Sequence, residues 1–117
     1  MPSPATHAAL PLREMKWSPA EKAVARRAFD LALGRELEAV VGEAKDKAAK
    51  IKEPSELWEL ERWLTERRIG IDRKYDYRYS VLPLVLATLL REGRLTQDDL
   101  RGLGQDKLQA IRRAASR

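Results

Sequence analysis

The sequence predicts an all-α protein that is either elongated or paired, and three observations carry that expectation. The composition combines 44% hydrophobic and 35% charged residues with 6% aromatic residues and a single Phe, the balance of a charge-laced helical protein rather than a β-sandwich. From Ser18 to Ile51 no proline interrupts a chain dominated by Ala, Leu, Glu, Lys and Arg, the residues that best tolerate a helix interior. No segment reads as a strand, and there is no internal repeat.

The elements follow in order. Residues 1–16 hold Pro2, Pro4 and Pro11 among small residues without a clean period, so a flexible arm is expected there. Ser18-Pro19-Ala20-Glu21 then joins an N-cap serine, a proline at the first helical position and a glutamate three residues after the cap. The helix it opens carries Phe29, Leu33, Leu37, Val40, Ala44, Ala48 and Ile51 at spacings of three and four, one apolar stripe weakened locally by Gly34 and Gly42. Such a helix runs roughly 50 Å, whereas a compact globule of this length is about 35 Å across. A stripe that overhangs its own domain needs apolar cover, and a second copy is the simplest source.

Pro54 breaks the first helix, and a second is predicted from there to about Tyr75. Leu57, Leu60, Leu64, Ile71 and Tyr75 form its stripe, with Trp58 and Trp63 on opposite shoulders and Ile69 on the Trp58 side. That is more apolar perimeter than one partner covers. Arg68 falls near the middle of the stripe, so it must find a carboxylate or reach an interface. Tyr75-Asp76-Tyr77-Arg78-Tyr79 leads into a third helix that starts near Ser80, admits Pro83 in its first turn and ends at Gly93. Thr96-Gln97-Asp98-Asp99 opens a short fourth helix, and Gly102 and Gly104 separate it from a fifth running from Gln105 to the end.

The formal charge of +5 divides unevenly: +1 over residues 1–16, zero over 17–100 and +4 over 101–117. Nucleic-acid binders concentrate cations where phosphates lie, and only the last helix, with Lys107, Arg112, Arg113 and Arg117, could serve here. DNA binding by that helix is the alternative reading; the ordinary one is that cations stabilise a helix C-terminus. With no Cys, and His7 the lone histidine, neither a metal site nor a cofactor is expected. The acid pairs Asp98-Asp99 and Glu59-Glu61 read as caps and solvated faces rather than catalytic groups, and Gly102-Leu103-Gly104 reads as a turn. No enzymatic activity is expected. The longest apolar run, Val81 to Leu90, is too short for a membrane span, and the start lacks a secretory pattern, so a cytoplasmic location is expected. Trp58 and Trp63 with Arg67 and Arg68 have the composition of a protein interface; the alternative is that both tryptophans cover the other helices of the same chain.

One stretch resembles a known family. Leu57-Trp58, Leu60, Leu64, Arg67-Arg68, Ile71-Asp72, Lys74-Tyr75-Asp76, Arg78, Ser80-Val81, Leu89-Leu90 and Glu92-Gly93 resemble the cyanobacterial fluorescence recovery protein family. Trp17-Ser18, Arg35-Glu36-Leu37, Asp106-Lys107 and Ile111 extend the likeness over residues 17–113. The resemblance implies a non-enzymatic regulator that dimerises through its long helical part and carries a small helical head. Members bind the photoactivated orange carotenoid protein, speed its return to the resting form and help detach it from the phycobilisome, ending non-photochemical quenching. By resemblance Leu57 is a dimer-interface leucine, and Trp58 and Arg68 belong to the recognition patch. Where the family pattern has His then Asp, this chain has Glu61 then Arg62, and a phenylalanine of the head helix is Leu84. The scaffold matches better than the recognition residues, as in a divergent member.

The full expectation is a long N-terminal helix folded on a second as an antiparallel hairpin, with a C-terminal head, in an elongated homodimer. Its regions are an arm (1–16), a dimerisation region (17–76) and a head (77–117). The expected partner-binding residues are Trp58, Glu61, Arg62, Arg67, Arg68 and Leu84; the expected dimer interface is Leu33, Leu37, Val40, Leu57 and Leu64. The expected partners are a second copy and an orange carotenoid protein, or a related carotenoid-binding or unknown protein, met at the cytosolic face of thylakoids in a cyanobacterial host. A bacterium without phycobilisomes would supply a different protein partner.

Overall fold

The computed structural model describes residues 11–116. In chain order these form a 3-10 turn at Leu12–Glu14, helix α1 at Pro19–Ala49, α2 at Ser55–Lys74, α3 at Leu82–Arg91, a 3-10 turn at Asp98–Leu100 and α4 at Gln105–Ala115. Among the described residues there is no strand, and the all-α fold class stands.

Helix α1 starts where its capping signal lies. The Ser18 hydroxyl accepts the Glu21 N–H at 3.1 Å, and the Glu21 carboxylate accepts the Ser18 N–H at 2.9 Å. Its 31 residues span about 46 Å. The molecule measures 69 × 26 × 20 Å with a radius of gyration of 18.2 Å, against about 13 Å for a compact domain of this size. Elongation therefore comes from α1, as its length demands.

The first half of α1 belongs to the head. Ala25, Ala28, Phe29 and Ala32 share one apolar cluster with Leu82, Leu86 and Leu89 of α3, with Leu95, Leu100 and Leu103 of the following segment, and with Ile111 of α4. Alanines let the helices approach closely, so the buried face of α1 is turned from the stripe that its larger residues trace. Phe29 is buried, but Leu37 on the same predicted stripe is 46% exposed, and Leu33 and Val40 are only half-buried. Beyond Arg35 and Glu36, which still reach the head, the second half of α1 packs against α2. That helix returns antiparallel after the turn at 50–54, bringing Trp63 against Lys47 and Lys74 against Glu36.

The head closes by local rules. Gly93, at φ 79°, ends α3 in a Schellman motif: its own N–H donates to the Leu90 carbonyl at 3.1 Å, and the Arg94 N–H donates to that of Leu89 at 2.8 Å. The expected short fourth helix is a single 3-10 turn instead. Thr96 and Asp99 cap each other as anticipated, but Gly102 at φ 108° turns the chain before a second turn can form. A Cβ at Gly102 would come within 2.7 Å of the Val24 side chain, so the loop lies directly on α1. The last helix ends at Ala115 with Ser116 as its C-cap, and Arg117 lies outside the described residues.

Most of the expected arm, His7 included, also lies outside them. Its described end is packed: Met15 is buried, and the Lys16 carbonyl accepts a hydrogen bond from Lys107.

Candidate functional site

Helix α2 presents two different edges. Ile71 is buried and Leu60 half-buried against α1. Trp63 faces the same way, with the Lys47 ammonium 5.1 Å from its ring centre. The other shoulder is open: Trp58 is 64% exposed, and Ile69, on the same side, is also exposed. The two tryptophans that sequence pattern alone leaves equivalent are thus separated, one into packing and one onto the surface.

Between the two helices runs an apolar groove of about 580 Å³. Leu33, Leu37 and Val40 of α1 line one wall; Glu61, Leu64, Thr65, Arg67, Arg68 and Asp72 line the other, with Ile71 deep in it. The structure therefore gathers four of the five expected interface residues with three of the six expected recognition residues. Leu57, half-exposed, lies two turns before Leu64 on the same edge. Arg62 is exposed on the neighbouring Trp58 edge, and Leu84 is apart from both, an exposed leucine of α3, in which Leu82, Leu86 and Leu89 are buried. Glu61 is exposed and accepts the Thr65 hydroxyl at 2.9 Å, one turn on. Arg68 is exposed and lines the groove.

Sequence reasoning gave no role to Glu36. It is 2% exposed, and its carboxylate meets Lys74 Nζ at 2.7 Å, the Tyr75 hydroxyl at 2.9 Å, Arg94 Nε at 3.5 Å and Arg67 Nη2 at 3.7 Å. Burial pushes its carboxyl pKa up, but hydrogen bonds from Lys74 and Tyr75 and the charges of Lys74 and Arg94 outweigh that and hold it below the usual value. The Tyr75 phenol is raised by burial and by donating to Glu36. The available signal was positional: Glu36 follows Phe29 and Ala32 at helical spacing, so it continues a buried face on which a charge requires partners.

The basic last helix divides in the same way. Lys107 is buried under Trp17, bonded to Glu21 at 3.2 Å, to Asp106 at 3.0 Å and to the Lys16 carbonyl. Burial lowers its pKa, and its acidic partners more than restore it. One of the four cations of the DNA-binding reading is therefore committed inside the fold; Arg112 and Arg113 are exposed.

Fold and surface define an elongated all-helical protein whose exposed apolar features, a groove and a tryptophan edge, are of the kind that meet other proteins. The chain belongs to the family described as photoprotection regulator fluorescence recovery protein, whose model matches residues 17–115. It is 37% identical over 102 residues to the fluorescence recovery protein of Synechocystis sp. PCC 6803, covering 87% of this chain and 94% of that one. Its fold is similar to the solved structure of the Fremyella diplosiphon fluorescence recovery protein, with a TM-score of 0.82 and 43% identity, and to that of the Synechocystis protein, with 0.82 and 36%. In both cases 87% of this chain and 100% of the solved chain are covered. Among the described residues no helix is long and apolar enough to cross a membrane.

Proposed function

We propose that this protein is a homodimeric, non-enzymatic regulator that binds the photoactivated form of an orange carotenoid protein and accelerates its return to the resting state in the cytoplasm. The observation that carries the reading is family membership across nearly all the described chain, joined to a tryptophan left 64% exposed on α2. A large aromatic in that position has the chemistry of a binding hot spot. Acceleration needs no bond chemistry. A protein that binds intermediates on the relaxation path more tightly than the activated state lowers the barrier between them.

Trp58 and Arg62 form the recognition edge of α2, with Glu61, Arg67 and Arg68 at the groove and Leu84 as a separate contact on the head. A second copy occupies the groove over Leu33, Leu37, Val40 and Leu64, extended by Leu57. Glu61 and Arg62 set which partner is accepted, because like charges brought together across an interface cost several kcal/mol. The test follows recovery of photoconverted carotenoid protein by absorbance, with and without this protein. Faster recovery supports the reading. Unchanged kinetics at excess protein would reject it and direct the search to another protein partner.

A further inference from the structure

We infer that Arg35 and Glu36, adjacent on α1, bolt the head to the hairpin, and that Glu36 is a positioning residue for partner binding. The functional half of this inference rests on the reading proposed above; the mechanical half does not.

The joint lies where apolar adhesion gives out. On α1 the buried apolar cluster runs from Ala25 to Ala32 and stops there, and the hairpin contacts lie beyond it. At the boundary Glu36 receives Lys74 and Tyr75 from the end of α2, Arg67 from its middle and Arg94 from the segment after α3. Lys74 also reaches Glu92 of the head at 2.7 Å. One residue earlier, Arg35 Nη1 donates to the Arg94 carbonyl and to Asp99, each at 2.8 Å. Two neighbouring α1 side chains thus grip the same head segment from two directions, and one of them also holds α2. Lys74 and Tyr75 on Glu36, and Arg35 on Asp99 and the Arg94 carbonyl, are hydrogen bonds to charged groups, which are directional and fix an angle as well as a distance; Arg67 and Arg94 meet Glu36 as ion pairs.

That angle matters because the two apolar residues assigned to the partner are on different bodies. Trp58 belongs to the hairpin and Leu84 to the head. A partner that touches both gains from having the second contact already in place, and loosening the joint lowers the effective concentration of that contact. The expected signature is a rise in the concentration needed for half-maximal acceleration, about tenfold, with the maximal rate retained.

The chain has no cysteine, so spin labels can be placed at will, at Glu66→Cys on α2 and Gln109→Cys on α4, both exposed positions. Labelled chains are mixed with excess unlabelled protein to isolate distances within one chain. Glu36→Gln, and separately the Arg35→Met/Arg94→Met pair, should keep helical circular dichroism and broaden the distance distribution, with the tenfold rise above. The paired variant leaves Lys74, Tyr75 and Arg67 on Glu36 and decides the matter should Glu36→Gln fail to fold. Trp58→Ala should weaken acceleration without broadening the distribution. A distribution as narrow as the parent's in the paired variant would overturn the bolt. A broadened distribution with unchanged half-maximal concentration would overturn the positioning role. Absence of acceleration by the parent would instead reject the proposed function, while the distances would still judge the joint.

Discussion

At the scale of residues, the surface side chains and the buried ones predict different losses. Trp58 is mostly exposed, so Trp58→Ala should leave the thermal midpoint within a degree or two, since changes away from packed features stay within about 0.5 kcal/mol. If it anchors the partner, the same change should weaken binding by about 2 kcal/mol, roughly thirtyfold. Calorimetry on the free protein and titration against the photoactivated partner separate the two. Glu36 behaves in the opposite sense. Removing its charge leaves Arg94 without its carboxylate and Lys74 with Glu92 alone, and Glu36→Gln should cost about 3 kcal/mol by urea unfolding at pH 7. Its folded pKa lies below its ordinary value, as do those of Glu21 and Asp99, the latter held down chiefly by Arg35. Depressed carboxyl pKa values stabilise the fold above the unfolded value, about 4, and that contribution disappears as pH falls through the folded values. The thermal midpoint should therefore be flat from pH 7 to 5 and fall below about pH 4.5, with a shallower fall in Glu36→Gln.

At the scale of elements, the helices were legible where local chemistry governs them and obscure where packing does. Ser18-Pro19-Ala20-Glu21 specified a capping box, and Gly93 specified the end of α3, because both signals act within one turn of chain. The fourth element was misread as a helix because Thr96-Asp99 caps a 3-10 turn as readily as a helical one, and only the approach of Gly102 to Val24 decides its length. The buried face of α1 was misread for a different reason. Alanine carries little weight in a hydrophobic pattern, yet Ala25, Ala28 and Ala32 are the residues that let α3 and its neighbours reach the helix. The groove was partly legible, since Leu33, Leu37, Val40 and Leu64 were all recognised as apolar excess. That Arg67 turns inward to Glu36 while Arg68 stays outside was not, because adjacent residues on a helix point about 100° apart and only the partner helix chooses between them. Two glycines give a test at this scale. Gly42 in α1 and Gly70 in α2 are helical, and a Cβ at either would meet nothing within 4 Å. Gly42→Ala and Gly70→Ala should each stabilise the protein by about 0.5 to 1 kcal/mol, read as a higher denaturant midpoint with an unchanged slope.

At the scale of the whole molecule, the deciding fact is that a 69 Å rod has its apolar core at one end. The head buries leucines from three directions, whereas the distal hairpin is two helices in contact along one line. Leu37, Val41, Leu57 and Leu64 all remain exposed there, and fully burying each is worth about 1.5 to 3 kcal/mol. A second hairpin laid over the first would cover the groove of both at once, as a two-fold interface requires. Dimerisation then has three linked consequences. Light scattering at micromolar concentration should give twice the chain mass of 13.4 kDa. The thermal midpoint should rise with protein concentration, since association stabilises by mass action. Leu57→Glu should remove both effects: a carboxylate forced into the seam costs several kcal/mol, and about 3 kcal/mol already raises the dissociation constant more than a hundredfold. The head, which shares only Leu33 of α1 with that seam, should keep its own folding transition in the variant. A parent that scatters as a monomer would end the idea of pairing altogether, whereas a Leu57→Glu protein that still weighs as a dimer would keep the pairing and move its seam off the groove.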